Sequence, residues 1–231
     1  MRYTTFCVGL LLAGILYAQP EGVIYDESKV PPYTLPDPLT LISGEKVRDA
    51  KTWFERRRPE ILRLFESEVY GKCPEPLPTM RFQVVEQGTP ALEGLAIRRQ
   101  VVILFNGRED GPQADVLIYL PAKARRPVPA FLGLNFTGNQ SVHSDPGIRL
   151  CRSWMRPSKG PEVVNNRATE ASRGIAASRW PVERILSRGY ALVTAYYGDI
   201  DPDYDDGFQN GVHPLFYRPG QTRPEPDEWG S

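Results

Sequence analysis

A nucleophilic serine displayed on a tight strand-to-helix turn needs glycine two residues before it and two after, because side chains there clash with the strained backbone. Ser158, Ser172 and Ser187 each have glycine two positions later, and none has glycine two positions before. Such a serine also needs an imidazole to take its proton. The two histidines are His143 and His213. In hydrolases built this way the base comes last along the chain, after nucleophile and acid. Neither histidine follows a candidate nucleophile, so both read as loop residues, and no catalytic residue is assigned.

The run Asp199, Asp201, Asp203, Asp205, Asp206, Gly207 has the carboxylate density that holds a hard cation. It fails the calcium-loop template, with Asp206 at the glycine position and Val212 at the glutamate position. A solvated acidic loop is the expectation, with no metal and no cofactor. Cys73 and Cys151 show no metal-ligand spacing; a disulfide and two free thiols both remain open. Asn135-Phe136-Thr137 and Asn139-Gln140-Ser141 match the glycosylation acceptor pattern.

The elements that would position a site follow from periodicity. Arg2 and the apolar run 6–16, ending in Leu16-Tyr17-Ala18, form a signal-peptide pattern over 1–18, with Gln19 as the mature start and a secreted or periplasmic location. That run is too short to span a membrane. Residues 19–42 read as a proline-rich extended arm. A folded unit is expected over 43–231. It opens with a helix capped by Ser43, interrupted at Pro59 and closed at Gly71. Phe82 and Val84 begin β structure, and Leu95, Ile97, Val101, Ile103 and Phe105 form a period-two apolar face. Turn signals and the return strand 116–120 complete an antiparallel start.

Residues 128–135 and 190–196 are nearly continuous apolar runs, as in strands buried on both faces. Between them, Pro181 opens a short helix that Gly189 closes. Strand, crossover helix and strand make a parallel βαβ unit. The expected class is α/β, an incomplete α/β-hydrolase fold: the N-terminal part of the sheet, antiparallel first and then parallel. Parallel strands end at one edge, where ligands bind. Asn135, Phe136, Gly138 and Asn139 after the first strand, and Tyr197 and Asp199 after the second, are the candidate pocket residues. The loop after the first strand can offer backbone N–H groups to an oxyanion, or be an ordinary strand-end turn.

Composition limits the rest. Of 231 residues 41% are hydrophobic, and 28 basic residues balance 28 acidic ones, so there is no charged field for nucleic acid. Proline is abundant at 23, which predicts stiff loops rather than disorder.

Several segments together resemble the bacterial glucuronoyl esterases. They are Tyr25-Asp26-Glu27 with Val30-Pro31-Pro32-Tyr33, Arg58-Pro59-Glu60-Ile61-Leu62 through Val69-Tyr70-Gly71, and Arg98-Arg99-Gln100-Val101. Further along come Phe131 to Phe136, Ser178-Arg179-Trp180-Pro181, Arg188-Gly189-Tyr190-Ala191 and Tyr196-Tyr197-Gly198-Asp199-Ile200. The resemblance implies a serine esterase acting on uronate esters that join lignin alcohols to plant cell wall glucuronoxylan. Its nucleophile would lie in a Gly-Cys-Ser-Arg-x-Gly-Lys-like elbow, which nothing here matches. The chain thus resembles the leading portion of such an enzyme, inactive alone. Acetyl xylan esterase is the alternative activity, and a non-catalytic carbohydrate-binding or interaction module is the alternative class. Strand 190–196 is expected to leave an open apolar edge that destabilises the isolated chain. Oligomeric state has no signal.

Overall fold

The computed structural model describes residues 23–125 and 127–228. The signal-peptide reading of 1–18, with the start at Gln19, lies outside the described residues. Contacts divide the chain into a unit up to Arg57 and a larger one from Arg58 onward.

The first unit has little regular structure. Asp26 caps a 3-10 turn at Glu27–Lys29. Asp37 gathers the Leu39 N–H at 2.8 Å, the Thr40 hydroxyl at 2.6 Å and the Lys46 ammonium at 2.9 Å, which fixes a tight turn whose bridge joins Thr40 to Lys46. Gly44, at φ +89°, occupies the left-handed position of that turn. Ser43 therefore belongs to the turn and does not cap the helix as expected. Asp49 does, accepting from Thr52 N at 2.7 Å at the start of α1 (Ala50–Thr52), which continues into a π-helical turn at Trp53–Arg57.

The second unit begins with α2 (Arg58–Glu68), where Pro59 sits in the first turn and its missing N–H goes unneeded. Five strands then make one sheet: β1 (Arg81–Ala91), β2 (Ala96–Leu104), β3 (Gln113–Pro121), β4 (Ala130–Asn135) and β7 (Ala191–Tyr196). Their spatial order is β1-β2-β3-β7-β4. All neighbours are antiparallel except β4 and β7, whose parallel register runs from Ala130 opposite Ala191 to Asn135 opposite Tyr196. The crossover carries α3 (Val182–Ser187) and ends at Gly189, φ +82°. The antiparallel start followed by a parallel βαβ unit is the order expected from the sequence.

Three details differ from expectation. The most buried positions of β2 are the even ones, Ala96, Arg98, Gln100, Val102 and Leu104, while the apolar odd positions are only half-buried. The open edge is β4, not β7, because the crossover inserts β7 between β3 and β4. And β4 is not covered on both faces: Phe131 and Leu134 are exposed, and Leu132 is 79% exposed.

The covered face explains how Arg98 and Gln100 can be buried. The Arg98 guanidinium donates to Glu86 at 2.8 and 2.9 Å and to Asp145 at 2.7 Å. Tyr119 donates its hydroxyl to Asp145 at 2.5 Å, and Gln100 bonds Glu86 at 2.6 Å and the Gly147 carbonyl at 3.0 Å. Burial alone would raise the pKa of both carboxyls, yet these hydrogen bonds and the guanidinium hold both below the ordinary value. The network pins residues 145–147 of the long connection to the sheet. Around it Leu117, Tyr119, Val142, Ile148, Val182, Leu186 and Leu192 form the main apolar core.

Candidate functional site at the carboxyl edge of the sheet

Because β4 and β7 run parallel, their carboxyl ends lie together, and antiparallel β3 begins at the same edge. Asn135, 1% exposed, donates from Nδ2 to Asn139 Oδ1 at 2.7 Å and to Thr194 Oγ1 at 3.1 Å. Asn139 in turn donates to the Asp115 carbonyl at 2.7 Å. Three strands and the loop are thus sewn together by two amide side chains. Gly138 has φ +84°, and a Cβ there would overlap the Gln140 side chain. Gln140, fully buried, donates to the Thr137 carbonyl and to Ser172 Oγ, both at 3.0 Å, and accepts from Cys151 N at 3.1 Å.

After β7, Asp199 is turned inward and accepts from Asp115 N at 3.0 Å and Ser153 Oγ at 2.6 Å. Burial pushes its carboxyl up to about 6. The neighbouring Cys151 thiol is pushed up to about 12 by burial and by the Asp199 charge, so it stays protonated and is no nucleophile. Tyr197 packs its ring on Phe136 at 5.2 Å and donates its hydroxyl to Asp203 at 2.7 Å; Arg156 pairs with the same carboxylate.

Two cavities flank this edge. One, of about 450 Å³, is lined by Phe136, Tyr197, Met155, Val163 and Ile175, with Arg156 and Asp203 at its polar end. The other, of about 380 Å³, is lined by Gln113, Arg152, Ser153, Trp154, Arg167 and Asp199. Of the six candidate residues, Phe136 and Tyr197 therefore share one cavity and Asp199 lines the other. Asn135, Gly138 and Asn139 shape the loop between strands instead of lining either. The 152–156 segment and Arg167 escaped the sequence reading. A signal for Arg167 existed: Asn165-Asn166, at φ 50° and 59°, is the turn of a hairpin joining β5 (Val163–Val164) to β6 (Arg167–Ala168).

The remaining candidates have other engagements. His143 accepts from Asp145 N at 2.9 Å and faces Glu183 at 2.9 Å. His213 is buried against the Phe208 ring, 3.6 Å from Asp201. Among the described residues no group of three His, Cys, Asp or Glu side chains is placed to hold a metal ion. Cys73, exposed, and Cys151, buried, are both free thiols. No described helix is long and apolar enough to cross a membrane.

Comparison with known proteins extends this geometry. No family model matches the chain. A carbohydrate esterase of an unknown prokaryotic organism is 48% identical over 216 residues, 94% of this chain and 50% of that protein. The structure of a glucuronoyl esterase from Solibacter usitatus superposes with a TM-score of 0.80 at 48% identity, covering 88% of this chain and 51% of that one. The chain is similar, over about half their length, to esterases of carbohydrate esterase family 15. A promiscuous esterase of family 15 from the marine bacterial metagenome superposes with a TM-score of 0.76 at 48% identity, over 90% of this chain and 52% of that one. The chain therefore spans about half the length of its family 15 relatives. Its sheet matches the corresponding part of their α/β-hydrolase architecture.

Proposed function

We propose that this chain forms the N-terminal half of a secreted family 15 esterase that cleaves uronate esters linking lignin alcohols to glucuronoxylan. The observation carrying this reading is the 48% identity sustained over 94% of the chain to a carbohydrate esterase. The chemistry is acyl transfer: a serine attacks the ester carbonyl, a histidine takes its proton, the alcohol leaves, and water releases the uronate. The nucleophile turn is absent from residues 1–231, so those steps belong to sequence beyond this half. What this half contributes is the carboxyl edge of β3, β4 and β7, with two cavities at its rim. The open β4 edge and exposed Leu132 and Leu134 are where the remaining strands and helices would pack.

The test joins residues 19–228 to the second half of the Solibacter esterase and assays benzyl glucuronate. The expected result is hydrolysis by the joined protein, abolished by a serine-directed phosphonate, and none by the chain alone. A cooperatively folded joined protein without hydrolysis, or phosphonate-sensitive hydrolysis by the chain alone, contradicts the proposal.

A further inference from the structure

Residues 152–155 and the β5–β6 hairpin behave as one flap. Met155 N donates to the Asn166 carbonyl at 3.0 Å, Asn166 Nδ2 returns a bond to the Met155 carbonyl at 2.9 Å, and Arg167 donates to the Arg152 carbonyl at 2.8 Å. The cavity of about 380 Å³ lies between this flap, which supplies Arg152, Ser153, Trp154 and Arg167, and the sheet edge, which supplies Gln113, Asp115 and Asp199. Beneath the flap Cys151 is buried against Met155, Tyr196 and the hairpin residues Val163 and Ala168. Side chains hook the flap to the sheet: Ser153 donates to Asp199 at 2.6 Å, Tyr196 donates to the Trp154 carbonyl at 3.2 Å, and Arg152 donates to Gln113 at 3.0 Å.

The Asp199 hook differs from the other two because it can ionise. Asp115, facing it from β3, presents a like charge and takes Arg149 at 2.8 Å for itself. Arg152 and Arg167, on the flap, donate to Gln113 and to the Arg152 carbonyl. Asp203 engages Arg156 and Tyr197, while burial keeps the Cys151 thiol and the Tyr196 hydroxyl neutral. Among the described residues no cation pairs with Asp199. Its carboxylate under a closed flap therefore keeps two hydrogen bonds, loses water and faces Asp115; a lifted flap returns the water. We propose that Asp199 is a proton-operated latch: carrying its proton it keeps the flap down on the sheet, and losing it lets the flap lift and open the cavity to solvent. Burial pushes this carboxyl up to about 6 from an ordinary 3.8. The proton is thus held more tightly under the closed flap, and ionisation favours the lifted form by up to about a hundredfold. That gain accumulates from about pH 4 to about pH 6 and is constant above.

Cys151 reports the lifted flap. In the full chain carrying Cys7→Ser and Cys73→Ser, its labelling by methyl methanethiosulfonate is followed across pH and divided by the rate in the urea-unfolded chain at the same pH, which removes the ionisation of the thiol itself. The normalised rate is expected to rise about tenfold or more between about pH 4 and about pH 6, then level off. Asp199→Asn should label slowly at every pH. Asp115→Asn should keep the rise and level off at lower pH, because the like charge is gone. Low urea should leave the rate unchanged, since lifting a flap exposes little surface. A flat profile in the parent, a rise that survives in Asp199→Asn, or a rise lost in Asp115→Asn overturns the proposal. So does a rate that climbs with urea as steeply as global unfolding, which would mean that the whole fold opens and not the flap. None of these readouts requires ester hydrolysis, so the latch and the esterase reading fail separately.

Discussion

On one face of the sheet Arg98, Gln100, Leu117, Tyr119 and Leu192 are buried; on the other Phe82, Val84, Leu132 and Leu134 are open to solvent. The covered face is the more polar of the two. Its charges are tolerated because each meets partners: Arg98 holds two carboxylates, and Tyr119 and Gln100 each add a bond. The open face is the more apolar, and contiguous apolar surface on a folded unit marks an interaction site. Coverage of a face thus depends on which layers are present to bury it, and not on how hydrophobic its strands are.

That contrast can be broken first at its polar centre. Arg98→Ala leaves Glu86 and Asp145 buried without their cation, which should cost about 3–5 kcal/mol of stability. Denaturant unfolding of the variant measures it, and a loss under about 1 kcal/mol would show that the network does not hold the covered face.

The next effect concerns pH. Burial pushes the folded-state pKa of Asp199 up to about 6, above the ordinary carboxyl value, so the native state binds the proton more tightly than the unfolded one. Its contribution therefore lowers stability as pH rises from about 4 to about 6, and that loss persists at pH 7. Asp199→Asn should then be more stable than the parent at pH 7, by up to about 3 kcal/mol, with the gap closing by about pH 4. Thermal melts of both proteins across that range check this; a constant gap would contradict it.

Gly147→Ala should cost about 1–3 kcal/mol, because its Cβ would overlap the Arg98 guanidinium. Leu132→Ser, on the open face, should change the stability of the isolated chain by no more than about 0.5 kcal/mol while reducing binding of a hydrophobic dye. A large stability loss there would mean that the face is covered after all.

The sequence carried the order of elements and the crossover, since alternation at 95–105, the apolar runs and Pro181 to Gly189 are local signals. It misassigned the buried side of β2, because apolar odd positions cannot reveal that Glu86 and Asp145, 12 and 47 residues away from Arg98, supply a polar core. It named β7 as the edge because chain order is not spatial order. Phe136, Tyr197 and Asp199 were legible as strand-end residues. The wall made by Arg152, Trp154 and Arg167 was not, since it arises from a hairpin folded back on an irregular segment.

Hydrogen exchange over Ala130–Asn135 tests most directly whether this chain is one half of a larger esterase domain. In the isolated chain the outward-facing β4 amides should exchange within seconds to minutes, and joining the second half of the Solibacter esterase should slow them by about a hundredfold or more. Equal protection of β4 in the isolated and joined proteins would show that the edge is already complete and would contradict the account.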